Sequence, residues 1–431
     1  MPIYAEFYKG ENKSKYEQSG FDATDNLDVH SEIGTAKAQL ALASESSTPN
    51  ENCISETLPN GDVFFASTES GKIWKRAASN NAYSLVHTNT NGANKGIKYF
   101  DGNLYYVAAN KLGKQAEGLA SSESSWSSQD DSFGTLSTTP TYAPMFVLNL
   151  TLWIGAGAFV DEVDSSGTFA AAALDLPAGY SVTTLNSSGS DLAIGTIRGT
   201  GVSHSRIFIW DTYSPSWTVE DDVDEIGINA FIRADNVLFA QCGTSGEIYY
   251  WNGGSLQKFG RIRGVTTAAT GAHYKTTAID GKPLLGIGSD IYSIYREYND
   301  LPNAFVHEYT VTTGSVQSLG YADGTLLVSN GTNIDALDTN RATATITTPI
   351  SESKAKNVIV RYERLPSGSS IGIGTKVDGA SSFTSQTTKT DTVKKQVYFD
   401  GGLGDVNFIQ AQITLTPNGA NTPVIRSIEI I

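Results

Sequence analysis

Asp323-Gly324-Thr325-Leu326-Leu327-Val328 sets a two-residue turn directly before a short apolar run, and the same phrase recurs along the 431 residues of the chain. Its counterparts are Asn60-Gly61-Asp62-Val63-Phe64-Phe65, Asp101-Gly102-Asn103-Leu104-Tyr105-Tyr106 and Asn149-Leu150-Thr151-Leu152-Trp153-Ile154, followed by Gly189-Ser190-Asp191-Leu192-Ala193-Ile194, Asp235-Asn236-Val237-Leu238-Phe239 and Asp280-Gly281-Lys282-Pro283-Leu284-Leu285. Measured between Val63, Leu104, Leu152, Leu192, Leu238, Leu284 and Leu326, the spacing is 40 to 48 residues. That period suits a propeller blade of four strands. A helical solenoid of similar period needs long runs of apolar residues at helical spacing, and none of the seven units has one.

Working outward from the turn, the first unit resolves into four strands. Cys53–Leu58 is innermost, then Val63–Ser67, Lys72–Arg76 and Tyr83–Thr88. One such sheet cannot bury both faces, whereas sheets packed side by side around an axis cover each other. The expected fold is therefore all-β: a seven-bladed β-propeller over residues 34–350, followed by a small β-sandwich module over 351–431. The seventh unit lacks an obvious fourth strand. Thr35–Ser44 alternates apolar and polar residues and is the favoured candidate, clasping the two ends of the ring. Thr343–Thr347 is the alternative. Residues 1–33, with Tyr4, Phe7, Tyr8 and Tyr16 among polar neighbours, read as an N-terminal arm or as a segment packed on the propeller's side. After Pro349 the repeat stops, and five longer strands are expected at 357–363, 370–377, 392–399, 407–416 and 424–430. The fourth alternates at Ile409, Ala411, Ile413 and Leu415, and the fifth places Val424, Ile428 and Ile430 on one face.

The bulk numbers agree with many short strands: 42 Gly, 13 Pro and 17% charged residues. A net charge of −15 disfavours binding to phosphate backbones or, through a basic patch, to anionic lipid. The longest apolar stretch, 143–160, is interrupted by Pro144, Asn149 and Thr151 and reads as two buried strands with a tight turn, so no membrane insertion is expected. The start lacks the pattern of a secretory signal. Cys53 and Cys242 make no disulfide framework and are expected to be buried thiols.

A search for chemistry finds little. His30, His87, His204, His273 and His307 lie far apart, without local metal-ligand spacing. The acidic run 220–225 and the stretch 22–28 lack the glycine and spacing of a calcium loop, so no metal and no cofactor are expected. No nucleophile elbow, phosphate loop or dinucleotide fingerprint occurs. Ser67-Thr68-Glu69-Ser70-Gly71-Lys72-Ile73-Trp74 resembles the Asp-box hairpin of sialidase-type propellers, with Glu in place of Asp. In that family the box is a structural turn, so the resemblance implies no catalysis. Aromatic residues near turns remain as candidate binding elements: Trp126, Tyr213, Trp217 and Trp251, each weighed against plain packing between blades.

The whole layout resembles uncharacterised propeller proteins encoded among the structural genes of tailed bacteriophages. The resemblance rests on Gly20-Phe21-Asp22, the degenerate Asp-Gly-x-Leu-Tyr blades, the exit Ala344-Thr345-Ile346-Thr347-Thr348-Pro349-Ile350, and the C-terminal Leu365-Pro366-Ser367-Gly368-Ser369-Ser370-Ile371 and Thr422-Pro423-Val424-Ile425. It implies a non-enzymatic virion component of the tail, or a host-attachment structure, assembled in the host cytoplasm. Its partners would be other virion proteins and a host surface glycan or protein receptor, with self-association left open. Two alternatives stand beside it: a carbohydrate-binding or glycan-hydrolysing propeller, and a cellular scaffold for protein partners.

Overall fold

The structure is a computed structural model that describes residues 3–4, 23–25, 27–28, 36–119, 126, 130–199, 204–234, 237–262, 265, 271–279, 282–295, 304–351, 357–393, 396–400 and 407–430. Every regular element among them is a β-strand or a short 3-10 turn.

Seven sheets have four antiparallel strands each, six of them in sequence order from the innermost outward and the seventh with an outer strand from earlier in the chain. The first is Cys53–Thr57, Val63–Ser67, Lys72–Arg76 and Tyr83–Thr88. The other innermost strands are Asn94–Phe100, Met145–Leu148, Tyr180–Ser188, Ile228–Ala234, Thr276–Ile279 and Ser318–Ala322. The turns leading out of them obey the chemistry that two-residue hairpins demand. At Asp101-Gly102 and Asp323-Gly324 both central residues have positive φ, the mirror-image turn whose twist matches the strands. Asn149-Leu150 adopts the same shape with Leu at φ 59°, an unfavourable backbone for a branched side chain.

By internal contacts the chain forms two compact units. One comprises residues 44–289 and 311–336 and holds all seven innermost strands, each lying beside the next in chain order. The last returns to the first: Ser318 Oγ donates to Cys53 O at 2.9 Å, and Cys53 N donates to Ser329 Oγ at 3.2 Å. Apolar clusters fill the spaces between neighbouring sheets. Phe100, Tyr105, Val107, Met145, Leu152 and Ile154 lie between the second and third, and Trp153, Leu174, Leu185, Ile194 and Phe208 between the third and fourth. This is β-propeller architecture. Buried carboxylates pin the loops entering several sheets. Asp161 accepts from Ser137 N at 3.0 Å and Ala172 N at 2.7 Å. Asp335 accepts from Thr312 N and from Ser44 Oγ, each at 2.8 Å. Each satisfies groups that would otherwise be orphaned.

The seventh sheet takes Leu40–Ser44 as its outer strand. The candidate Thr35–Ser44 is thus divided, because Ala36–Ala38 pairs elsewhere, with Val424–Ile430. The alternative filler, Ala344–Thr347, instead pairs with Ile409–Thr416.

The other unit comprises residues 1–43, 290–310 and 337–431. It contains two further antiparallel sheets. One runs Leu27–Asp28, Ala36–Ala38, Val424–Ile430, Asn357–Tyr362, Gln396–Asp400, with Ile3–Tyr4 also on Val424–Ile430. The second runs Ala23–Asp25, Ala344–Thr347, Ile409–Thr416, Ser370–Val377, Thr384–Lys389. One core joins them: Val358, Val360, Ile428 and Ile430 from the first, Ile346, Ile371, Ile373, Ile409, Ile413 and Leu415 from the second.

Three expectations change here. The described parts of the 1–33 segment are strands of these sheets rather than a separate arm, since their backbone groups find partners at open sheet edges. The boundary at 350 shifts, because Ala344–Thr347 already belongs to the second sheet. On the last strand Ile425 is buried in place of Val424, because a bulge slips the register between Arg361 and Tyr362 and reverses the faces. Thr384–Lys389 was not anticipated at all. It is an edge strand of polar residues, without the apolar alternation that betrays a strand.

Candidate functional site

Because the innermost strands lead into their turns on one rim, the residues just before each turn converge around the axis. They enclose a cavity of about 320 Å³ lined from all seven strands, including Ser55, Glu56, Lys98, Phe146, Asn186, Phe231, Thr277 and Tyr321. Its floor is the chain itself. A 3-10 turn, Ala272–Lys275, precedes the sixth innermost strand and carries His273 and Tyr274 into the axis. Tyr274 OH donates to Ala143 O at 2.7 Å and accepts from Ile97 N at 3.3 Å. The His273 ring nitrogens lie 3.2 Å from Thr184 Oγ1 and 3.1 Å from Met145 O. This plug of the sixth sheet is thereby bonded to the second, third and fourth, and the cavity is a cup open toward the turns.

The cup is electrically neutral. Lys98 Nζ lies 2.8 Å from Glu56 Oε1, and Glu56 also accepts from Tyr99 N at 3.2 Å. Burial, only partly offset by the bond to Met145 O, pushes the His273 pKa down to about 4, so the imidazole is neutral at pH 7. Glu56 is the sole carboxylate among the lining residues. On the same residues, Ser55 Oγ is buried with no hydrogen-bond partner.

The four aromatic candidates fare differently. Tyr213 stands 85% exposed on the hairpin after Trp210. Trp126 instead stacks on His87, with centroids 4.2 Å apart and an 11° interplanar angle. Trp217 sets its edge against Phe208 at 4.9 Å, and Trp251 is buried beside Ile209, Phe231 and Leu238. These three pack inward because large aromatic surfaces fill the wedges between sheets. An exposed apolar residue that the sequence did not single out is Leu150, 75% exposed on its positive-φ turn. Asn149 beside it donates to Ser190 O in the corresponding turn of the next sheet at 3.0 Å. Turns after the first and third strands of a meander lie on one edge, so Leu150 and Tyr213 share the rim onto which the cup opens. The lining residues were missed for a related reason: as single polar residues on different strands they form no local motif, although their position just before each repeated turn marks them.

Other clusters that invite a chemical reading are structural. Asp131 accepts from His87 Nε2 at 2.6 Å, Tyr106 OH at 2.8 Å and Thr90 N at 2.9 Å. Burial opposes its ionisation, but these bonds hold its pKa down to about 2. The Asp131, His87 and Tyr106 side chains are buried, and no member of the cluster lines the cup. In the acidic run, Glu220 and Asp222 flank Arg206 at 2.8 and 2.7 Å. No group of three or more metal-ligating side chains occurs among the described residues. The Ser67 hairpin is a turn closed by Ser67 Oγ, which accepts from Ser70 N at 3.0 Å. Cys53 and Cys242 are free and buried. His30 lies outside the described residues, as do the side chains of the stretch 22–28 other than Leu27. No described helix is long and apolar enough to cross a membrane.

No protein-family model matches the chain, and no curated protein does. Solved structures do. A chain of a mitotic checkpoint complex aligns at 12% identity and TM-score 0.50 over 70% of this chain and 93% of that one. Streptogramin B lyase aligns at 14% identity and TM-score 0.47 over 69% and 97%. The extracellular domain of a putative hybrid two-component system from B. thetaiotaomicron aligns at 12% identity and TM-score 0.49 over 77% of this chain. The chain spans 44% of that domain's length. At such identities the likeness concerns the propeller fold alone.

Proposed function

We propose that the chain is a non-enzymatic structural protein of a tailed-phage particle, in the tail or a host-attachment fibre, with the propeller's turn-bearing rim as its contact platform. In this reading the seven four-stranded sheets are seven blades of one ring, and the two remaining sheets form a β-sandwich that serves attachment within the particle. Other virion proteins and a host surface receptor are the partners.

One observation favours the non-enzymatic reading over a two-carboxylate glycosidase. Glycosidases set two carboxyl groups about 5–10 Å apart, whereas this cup has a single carboxylate, Glu56, tied to Lys98. The plug also fixes the axis as a stiff frame rather than a passage, which suits a platform. The exposed Tyr213 on the rim is the kind of side chain that anchors a contact, and Leu150 adds exposed apolar surface on the same rim.

Mass spectrometry of purified particles from the source of the gene tests the placement. The chain should co-purify with tail proteins at stoichiometric yield, and its absence from intact particles overturns the reading. A glycan-hydrolysis screen of the purified chain should show no turnover.

A further inference from the structure

We propose that the cup is a binding site for one uncharged sugar ring, taken as the terminal residue of a glycan. This deepens the attachment reading by naming the ligand of its contact face. It relies on that reading only for the source of the glycan.

Shape comes first. The cup is blind, floored by His273 and Tyr274, and its volume of about 320 Å³ sits at the small end of ligand pockets. A single pyranose fits there and a chain threading the axis does not. Charge comes second. The Glu56–Lys98 pair cancels and His273 is neutral, so nothing in the lining compensates a carboxylate, phosphate or ammonium group on a ligand. Burying an unpaired charge there is costly.

Hydrogen-bonding capacity comes third. Asn186 Oδ1 is occupied by Ser187 N at 2.8 Å, while its amide nitrogen makes no bond with described residues. The hydroxyls of Thr57, Thr277 and Tyr321 are likewise unengaged by described residues, and all three line the cup. Phe146, Leu185, Phe231 and Leu319 line the cup among them. Scattered hydroxyl and amide groups interspersed with apolar side chains match a pyranose, which carries hydroxyls on its rim and C–H groups on its faces. A small apolar ligand would leave the polar groups dry and unpaired, and an ion would find no counter-charge.

Titration calorimetry and saturation-transfer NMR on the full chain, with glucose, galactose and N-acetylglucosamine against glucuronate, N-acetylneuraminate and glucosamine, test the proposal. At least one neutral sugar should bind with a Kd on the order of 1 mM, as expected for a ligand of about twelve non-hydrogen atoms. The same ring at the non-reducing end of an oligosaccharide should bind at least as well. Asn186→Ala should weaken it about tenfold with an unchanged melting temperature, and Tyr213→Ala, on the rim, should leave a monosaccharide's affinity unchanged. Glu56→Gln frees the Lys98 charge and should shift preference toward glucuronate. The proposal is overturned if no neutral sugar of the panel binds at 50 mM (about fifty times the expected Kd), if charged sugars bind the wild type better, or if Asn186→Ala has no effect. Such a result leaves placement in the particle standing. Absence from particles combined with sugar binding does the reverse.

Discussion

Replacing Tyr274 by Phe removes one oxygen from the floor of the cup and tests whether the plug holds the ring together. That oxygen donates to Ala143 O and accepts from Ile97 N, two backbone groups on different sheets. In the variant both are left in a space that Phe cannot fill with a polar atom. An unsatisfied buried group costs about 1–3 kcal/mol. Because the bond to Ile97 N is the longer at 3.3 Å, most of the loss falls on Ala143 O, and a total of about 2 kcal/mol is expected. For domains of this size, that corresponds to a drop in Tm of roughly 4–8 °C. Differential scanning calorimetry at pH 7 reads it, with urea melts checking that the slope is unchanged. Tyr274→Ala also opens a cavity and should cost more, about 3–5 kcal/mol. A Tyr274→Phe protein melting within 1 °C of the wild type, roughly 0.5 kcal/mol or less, would refute the idea that the plug is a tie between sheets rather than a loop lying in the channel.

Four further outcomes are expected. His273 has its pKa lowered to about 4, so the unfolded chain binds the extra proton first on acidification. Stability therefore falls between about pH 6.5 and 4, and His273→Gln should flatten that limb of a urea-midpoint profile. Lys275 is 9% exposed, and burial lowers its pKa to about 8. Stability should rise from about pH 8 to 10 as the native side chain stays neutral, and Lys275→Met should abolish the rise and add up to roughly 3 kcal/mol at pH 7. Asp335→Ala strips the charged acceptor from Thr312 N and Ser44 Oγ and should cost on the order of 3 kcal/mol in the same melts. Tyr213→Ser changes only exposed surface and should stay within about 0.5 kcal/mol of wild type, yet lower adsorption of particles to host cells if the rim is the contact face.

How legible these features were depends on the range of the physics behind them. The propeller was readable because each turn is local: a positive-φ pair such as Asp323-Gly324 needs particular residues, and the apolar run after it must be buried. The outer strand of the seventh sheet was readable in part, through its alternation. Its division at Gln39 was not, because two sheets compete for adjacent halves of one segment, a tertiary choice. The bulge at Arg361/Tyr362 hid which face of the last strand is buried, since a one-residue slip reverses every side chain after it. The site was the least legible. Three of the four aromatic candidates pack inward, because a tryptophan near a turn buries its ring whenever a neighbouring sheet offers a wedge. Glu56, Lys98, Asn186 and His273 come together only when the ring closes.

Everything rests on that closure and on the plug within it. An experimental density map of the purified chain, fine enough to separate strands and large side chains, tests both at once. It should show the strand Ser318–Ala322 seated beside Cys53–Thr57, with the Tyr274 ring crossing the axis to Ala143. A row of sheets whose first and last members stand apart, or an axis left open from end to end, would contradict the account.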